Sequence, residues 1–302
     1  MPEEQLIVIG YGSLMSGFGL RRGSGIRLPT VGRIGLRNAR RGFAKLSQHS
    51  DCFAMALEPV ESRQPIRGRI TAPAPYPHTV SHESDATGIP EGVGFHVSFS
   101  ALQAVCEREG YDYTAMQTLG RQAAEQGRST SEWLWSLACD ARHDLAGYRR
   151  ALFARTGYAS PHYVPHPVAL DDGRVAITFL APGREGSGCD EVVPVRVETG
   201  HLELLDASTA WRLKGNEAQL SYFTTCLLAA VHRVAVDDLL PDPEDRELRA
   251  ALAARLHALA ADEPGWFCEA TGLDPQARTV IFAAPRDPID ALAPFFGKPG
   301  ES

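Results

Sequence analysis

The sequence predicts an α+β fold, and three features carry that prediction. The first hundred residues alternate short apolar runs, many of them β-branched, with glycine- and proline-containing breaks, which is typical of strands joined by loops. Residues 116–155 instead carry apolar residues at helical spacing. Two further strand-like runs and two further helical patterns follow, so both kinds of element contribute to the fold.

The predicted strands of the first hundred residues are short and mostly apolar. The first, Leu6–Ile9, is typical of a buried strand, and it runs into a Gly10–Ser13 turn whose backbone can come close to a ligand. A glycine-rich loop follows this turn. A proline- and histidine-rich stretch at 72–90 is interpreted as a second loop, inserted between strands. The remaining predicted strands are Thr30–Ile34, Ala39–Ser47, Cys52–Leu57, Ile66–Ile70 and Val93–Phe99.

A short helix is predicted between the last of these strands and Glu109. Either Ser98 or Ser100 can cap its N-terminus. Gly110 suits its C-terminal end, because glycine readily adopts the left-handed conformation found there. Glu107 competes with Glu109 as a functional carboxylate, but it would be turned by roughly 200° around the helix from Glu109.

The second half of the chain is predicted to be mainly helical with one hairpin. The turn signal Asp171–Gly173 separates the strand-like runs Val164–Leu170 and Arg174–Leu180, which predicts a β-hairpin. The residues from 217 to 236 predict a long buried helix. After a proline-rich break at 241–243, leucines recur at helical spacing and are interpreted as a core face rather than a zipper. They are Leu248, Leu252, Leu256 and Leu259; a glycine/serine loop is predicted at 183–190 and a last strand at 278–284.

Composition argues against several classes of protein. The formal net charge of −7 disfavours general affinity for nucleic acid or for an anionic membrane. No apolar run reaches the roughly 20 residues needed to cross a bilayer, and the acidic N-terminus lacks the features of a signal peptide, so a cytoplasmic location is expected. The six cysteines are widely spaced, without a Cys-x-x-Cys pair, which indicates reduced thiols. The most basic segment is interpreted as a solvated strand edge; it contains Arg37, Arg40, Arg41 and Lys45.

Three other site types fit the sequence poorly. A dinucleotide fingerprint beginning at Gly10 would need its third glycine at position 15, which is methionine. The Gly-x-Ser-x-Gly elbow of serine hydrolases does not occur at Ser13. Two histidine pairs lie in proline-rich sequence, where helical ligand geometry is disfavoured, so no metal site is expected; they are His78 with His82 and His162 with His166.

Two motifs in this order resemble the γ-glutamylcyclotransferase superfamily. One is the Gly10–Leu14 loop near the N-terminus, and the other is Glu109 followed by glycine and tyrosine after the next strand and helix. The segments Arg40–Phe43 and Ala56–Pro59 lie between them in the expected order. The resemblance covers roughly residues 5–112 and 162–238. It implies a small mixed β-barrel flanked by helices.

The resemblance also divides the chain. Residues 1–240 are expected to form a γ-glutamylcyclotransferase-like domain with insertions near 71–91 and 114–160, the second of them helical. Residues 241–302 have no counterpart in the family and are expected to form a C-terminal extension of a helix and a strand.

The implied reaction needs little from the protein. A γ-glutamyl amide carries its own nucleophile, since its α-amine can close a five-membered ring on the γ-carbonyl. Well-oriented intramolecular attack has an effective molarity of up to roughly 10⁵ M or more, so no serine or cysteine nucleophile is needed. One carboxylate must take the ammonium proton and pass it to the leaving amine, and donors must hold the oxyanion and the α-carboxylate. The products are 5-oxoproline and a free amine or amino acid, without a cofactor or metal.

The sequence supplies a candidate for each role. The resemblance makes Glu109 the general acid/base, and it places the tyrosine of a late helix at the border of the pocket. Backbone N–H groups of the loop are expected to hold the carboxylate and oxyanion, and arginines are candidates for pairing with a substrate carboxylate. The predicted substrate-binding residues are Tyr11, Gly12, Ser13, Leu14, Tyr111, Tyr113, Tyr222 and Arg40, with Arg41 and Arg22 as further arginine candidates.

Two other functions stay open at this point. The chain could be a non-catalytic small-molecule binding protein of the same fold. It could also be an amide hydrolase or acyl transferase acting on a pathway-specific substrate. The leaving amine, the role of the insertions and of the extension, and homo-oligomer formation are not determined by the sequence.

Overall fold

The computed structural model describes residues 4–15, 28–47, 51–73, 89–158, 163–181, 203–230, 239–262 and 289. Several predictions fall outside these ranges. They are the glycine-rich loop, residues 74–88 of the predicted 72–90 loop, the residues of the histidine pairs other than His166, Arg22, the 183–190 loop, residues 231–236 of the predicted late helix and the 278–284 strand.

Eight strands are described. Six of them close into a barrel in the order β1-β6-β2-β5-β7-β8, and β3 and β4 form a separate antiparallel pair. Within the barrel, β1 with β8 and β5 with β7 are parallel and the other pairs are antiparallel. A mixed barrel flanked by helices, as predicted, is therefore confirmed. The strands are β1 Gln5–Gly10, β2 Thr30–Arg37, β3 Ala39–Ser47, β4 Cys52–Pro59, β5 Arg67–Pro73, β6 Glu91–Ser98, β7 Val164–Leu170 and β8 Val175–Leu180.

The strand interiors explain why the barrel is stable. The four apolar residues Leu6–Ile9 of β1 are all buried, as a strand covered on both faces requires. Every residue of β4 is buried as well. The β7–β8 hairpin turns at Asp171–Gly173 as predicted, with Gly173 at a φ of 87°.

Seven helices are described. They are α1 Phe99–Glu109, α2 Tyr113–Glu125, α3 Thr130–Asp140, α4 Leu145–Thr156, α5 Ala207–Lys214, α6 Glu217–Ala230 and α7 Arg246–Asp262. Among them, none is long and apolar enough to cross a membrane.

Helix α1 places the predicted functional glutamate. It begins after Ser98, whose side chain accepts a hydrogen bond from the Ala101 N–H, so Ser98 rather than Ser100 is the cap. It ends at Glu109, because Gly110 adopts the left-handed conformation with a φ of 72°. The predicted ends of this helix are confirmed.

The stretch predicted to be helical at 116–155 consists of three helices rather than a continuous one. Gly127 has a φ of 67° after α2, and Arg142 and His143 have φ values of 52° and 56° after α3. Ser129 and Asp144 then cap the next helices. Left-handed residues cannot continue a right-handed helix, which explains both breaks.

The later helices pack against the site and against each other. Helix α6 contacts the turn that follows β1 and also strand β4. Helix α7 packs on α6, and its leucines at positions 248, 252 and 256 are buried. The predicted core face of this helix is therefore confirmed.

Candidate functional site

The loop after β1 is a tight turn with two unused backbone donors. The Gly12 carbonyl accepts from the Met15 N–H at 2.9 Å, which forms a single 3₁₀ turn over Ser13–Met15. A Cβ on Gly10 would lie 2.5 Å from the Leu14 carbonyl oxygen, so only glycine fits there. Within the described parts of the chain, the N–H groups of Gly12 and Ser13 donate no hydrogen bond.

Tyr11 fixes this loop to strand β8. Its hydroxyl donates to the Phe179 carbonyl at 2.5 Å. Burial raises the pKa of Tyr11 well above its ordinary value, and the neighbouring Tyr163 and Glu109 raise it further. The side chain is therefore a neutral structural link between the loop and β8.

Side chains cover the edge of β4 that faces away from β3. The Tyr222 hydroxyl accepts from the Met55 N–H at 3.0 Å, and the Tyr163 hydroxyl donates to the Met55 carbonyl at 2.9 Å. Two residues earlier, Gln219 bonds both the N–H and the carbonyl of Phe53. An open strand edge carries unpaired main-chain groups, so these side chains complete the hydrogen bonding of β4.

The charge of Glu109 acts on the tyrosines around the loop and the β4 edge. Glu109 is half-buried at the end of α1. The pKa of each of four tyrosines is raised, first by burial and further, among other neighbours, by the negative charge of Glu109. These tyrosines are Tyr11, Tyr111, Tyr163 and Tyr222.

Tyr111 joins the cluster by ring contacts. Its ring stacks on Phe179 with centroids 3.7 Å apart and meets Tyr163 edge-on at 5.4 Å. Gly12 completes the cluster, because a Cβ built there would lie 3.3 Å from the Tyr222 hydroxyl. The structure therefore brings together the predicted residues Tyr11, Gly12, Tyr111, Tyr222 and Glu109.

Two predicted substrate-binding residues have partners of their own. The Tyr113 hydroxyl donates to the Phe99 carbonyl at 3.2 Å, within the α1–α2 pair. Arg40, 42% exposed, donates from Nε to the Glu58 carboxylate at 2.9 Å. Both contacts turn these side chains toward neighbours other than the tyrosine cluster.

The interpretation of the basic segment as a solvated edge is wrong for Arg41. Its side chain is buried at 5% exposure, and its Nη1 lies 3.4 Å from the Tyr11 carbonyl oxygen. Successive residues of a strand point to opposite faces. Arg40 therefore points toward solvent, while Arg41 points into the protein and contacts the loop after β1.

Tyr163 and Cys226 belong to the site but were not predicted. Tyr163 bonds a residue 108 positions earlier, and no local pattern signals such a contact. Burial raises the pKa of the Cys226 thiol to about 12, although the Tyr222 hydroxyl and Arg41 lower it. A thiol with this pKa is protonated near neutral pH and is a poor nucleophile.

The competing carboxylate and a separate cleft lie outside this cluster. Glu107 is exposed and accepts from Gln103 Nε2 at 2.8 Å on the surface of α1. A surface cleft of about 640 Å³ lies beside the start of α7 and contains no predicted site residue. Within the described ranges, no group of three or more His, Cys, Asp or Glu side chains is arranged to hold a metal ion.

Comparison with known proteins leaves the family unassigned. No protein-family model matches the sequence, and no curated protein matches it. Among solved structures, an uncharacterized protein from Homo sapiens aligns with 82% of this chain and 88% of its own length, at 11% identity and a TM-score of 0.33. A TM-score this low carries no argument about fold or function.

Proposed function

We propose that the chain is a γ-glutamylcyclotransferase-type enzyme that releases 5-oxoproline from a γ-glutamyl amide. The observation that carries this proposal is the convergence of Glu109 with the Tyr11–Leu14 loop through shared tyrosine neighbours. A carboxylate and unused backbone donors are the two things that intramolecular cyclisation requires of a protein.

Glu109 is the proposed general acid/base. It takes a proton from the substrate's α-ammonium group, and the freed amine attacks the γ-carbonyl carbon. The carbonyl π-electrons move to oxygen, forming a tetrahedral oxyanion. When the oxyanion collapses, the amide C–N bond breaks, and Glu109 returns the proton to the leaving nitrogen. The ring nitrogen gives up its second proton, so the products are 5-oxoproline with a neutral ring N–H and the protonated amine.

The Tyr11–Leu14 loop is the proposed binding site for the substrate's carboxylate and for the developing oxyanion. Backbone donors that point at a developing oxyanion stabilise the transition state, and losing one typically costs about 10²–10³-fold in kcat. The N–H groups of Gly12 and Ser13 are suited to this role, because they have no other partner in the described part of the chain. Tyr111 and Tyr222 would border the bound substrate.

The covered edge of β4 supports catalysis by keeping the site rigid. The hydroxyls of Tyr11, Tyr163 and Tyr222 are each held by main-chain groups, so the positions of their rings are fixed. A pre-organised site stabilises the transition state without reorganising during the reaction.

The test is an assay of 5-oxoproline by mass spectrometry over γ-glutamyl amino acids, glutathione and γ-glutamyl amines. We expect release from at least one of these substrates. Its N-acetyl analogue should be inert, because acetylation removes the nucleophilic amine. Release of glutamate instead of 5-oxoproline would favour an amide hydrolase, and turnover of the N-acetyl analogue would rule out cyclisation.

A further inference from the structure

The buried guanidinium of Arg41 contacts both ends of the Tyr11–Met15 loop. Its Nη1 contacts the Tyr11 carbonyl oxygen at 3.4 Å and the Met15 sulfur at 3.7 Å, and it donates to the Glu91 carbonyl at the start of β6. It thus joins the Tyr11–Met15 loop to a neighbouring barrel strand. Arg41 itself is fixed on β3, where it pairs with Leu57.

This contact has a consequence for the next N–H group. The peptide bond is planar and trans, so the carbonyl of Tyr11 and the N–H of Gly12 point in opposite directions. Holding the Tyr11 carbonyl toward Arg41 therefore directs the Gly12 N–H away from the guanidinium. The same reasoning applies one residue later, because the Gly12 carbonyl is held by the Met15 N–H and so directs the Ser13 N–H.

Packing alone does not explain an arginine at this position. Taking a guanidinium out of water costs several kcal/mol unless hydrogen bonds compensate. An apolar side chain could fill the space, but it could not bond to the carbonyls of Tyr11 and Glu91 together. Nearby, the Glu91 carboxylate is engaged by Thr71 Oγ1 at 2.8 Å and lies 3.6 Å from Arg33 Nη1.

We propose that Arg41 is a positioning residue that aims the Gly12 N–H at the bound anion by holding the Tyr11 carbonyl. The role of that N–H in turnover rests on the proposed function. The orientation of the Tyr11–Gly12 peptide is independent of the proposed function and can be measured without a substrate.

The first experiment observes this peptide directly. Tyrosine is followed by glycine only once in the sequence, at Tyr11–Gly12. Protein labelled with ¹³C-carbonyl tyrosine and ¹⁵N-glycine therefore gives a single carbonyl-to-amide NMR correlation. We compare the wild type with Arg41→Lys, whose ammonium lies one bond nearer the backbone than Nη1 and so falls short of the two carbonyls, and with Arg41→Met, which keeps the apolar stem but has no donor.

Both Arg41 variants should shift or broaden the Gly12 correlation, and Arg41→Met should do so more. The matched control is Arg69→Met, which removes an exposed arginine from β5 and should leave the correlation in place. An unchanged correlation in folded Arg41→Met would overturn the proposal. If Arg41→Met does not fold, Arg41→Lys alone decides, and an unchanged correlation in that variant overturns the proposal equally.

The second experiment measures kinetics on whichever γ-glutamyl substrate the wild type turns over. A misplaced N–H should lower kcat by roughly 10²-fold, with a smaller effect on KM. Addition of guanidinium ion at low millimolar concentration to Arg41→Ala should restore part of this loss. If kcat is unchanged in a variant whose Gly12 correlation has moved, Arg41 positions the Gly12 peptide but turnover does not depend on the Gly12 N–H. Failure of the wild type on every substrate would count against the proposed function and leave the NMR result standing.

Discussion

At the scale of single residues, the site depends on hydroxyl groups that bond to the main chain of β4. The Tyr222 hydroxyl accepts from the Met55 N–H, and the Tyr163 hydroxyl donates to the Met55 carbonyl. Leaving a buried backbone donor without a partner typically costs about 1–3 kcal/mol. The tyrosines should therefore contribute to stability as well as to the shape of the site.

Tyr222→Phe removes one of these acceptors. The free energy of unfolding should fall by about 1–3 kcal/mol, because the Met55 N–H loses its partner. Urea unfolding followed by circular dichroism measures this. Tyr113→Phe is the matched control: the Phe99 carbonyl lies within α1, where it still accepts the helical bond, so a loss well below 1 kcal/mol is expected. Equal losses in the two variants would contradict the role given to Tyr222.

His166 makes stability sensitive to acid. It is buried, its Nδ1 has no hydrogen-bond partner, and burial, followed by the charges of Arg149 and His143, lowers its pKa from 6.5 to about 3. Because the folded-state pKa lies below the unfolded one, the unfolded chain binds the proton first as the pH falls. Stability is therefore complete above pH 6.5 and is lost progressively toward pH 3.

His166→Leu should remove this acid sensitivity. From pH 7 to pH 5, the variant's stability relative to the wild type should improve by about 2 kcal/mol, as measured by urea unfolding at the two pH values. At pH 7 the substitution should cost little, because the lost Nδ1 makes no hydrogen bond. Parallel pH dependence of the two proteins would contradict this account of His166.

At the scale of elements, the end of α1 determines where Glu109 lies. Gly110 ends the helix at a φ of 72°, with its N–H bonded to the Cys106 carbonyl. Gly157 ends α4 in the same way, at a φ of 69° with its N–H bonded to the Phe153 carbonyl. The two caps share one geometry, but only the first adjoins a predicted functional residue.

Alanine at either position should destabilise the protein by a similar amount. A left-handed conformation costs a non-glycine residue about 1–2 kcal/mol, which urea unfolding would detect in both variants. Gly110→Ala should also reduce 5-oxoproline release, because strain at the cap displaces Glu109, whereas Gly157→Ala should not. If both variants keep full activity, the position of Glu109 does not depend on this cap.

Elements with strong local signals were predictable from the sequence. The turn signal at Asp171–Gly173 predicted the β7–β8 hairpin, and the capping signals at Ser98 and Gly110 predicted the two ends of α1. The first break within 116–155 has local signals, since Gly127 adopts a positive φ and Ser129 forms a capping box with Glu132. The second break is less predictable, because Arg142 adopts a positive φ that arginine does not signal, although histidine is enriched there.

At the scale of the whole molecule, the candidate site is assembled from elements far apart in the chain. The loop follows β1, Glu109 ends α1, Tyr163 precedes β7 and Tyr222 lies on α6. Sequence motifs gave the loop and Glu109, and the family resemblance gave Tyr222. Tyr163 was not predicted, and Arg41 was predicted only as a partner for a substrate carboxylate, because their contacts join residues 108 and 30 positions apart. Only the folded barrel brings those partners together.

The central claim is that Glu109 is the acid/base of a cyclisation reaction. The most direct measurement is the rate of 5-oxoproline release by the wild type, Glu109→Gln and Glu107→Gln, each shown to be folded, on one γ-glutamyl substrate. Glu107 is the matched control, since it lies on the same helix but is exposed and bonded to Gln103. We predict a loss of roughly 10²–10⁴-fold for Glu109→Gln and an unchanged rate for Glu107→Gln. A Glu109→Gln variant that retains the wild-type rate would contradict the account.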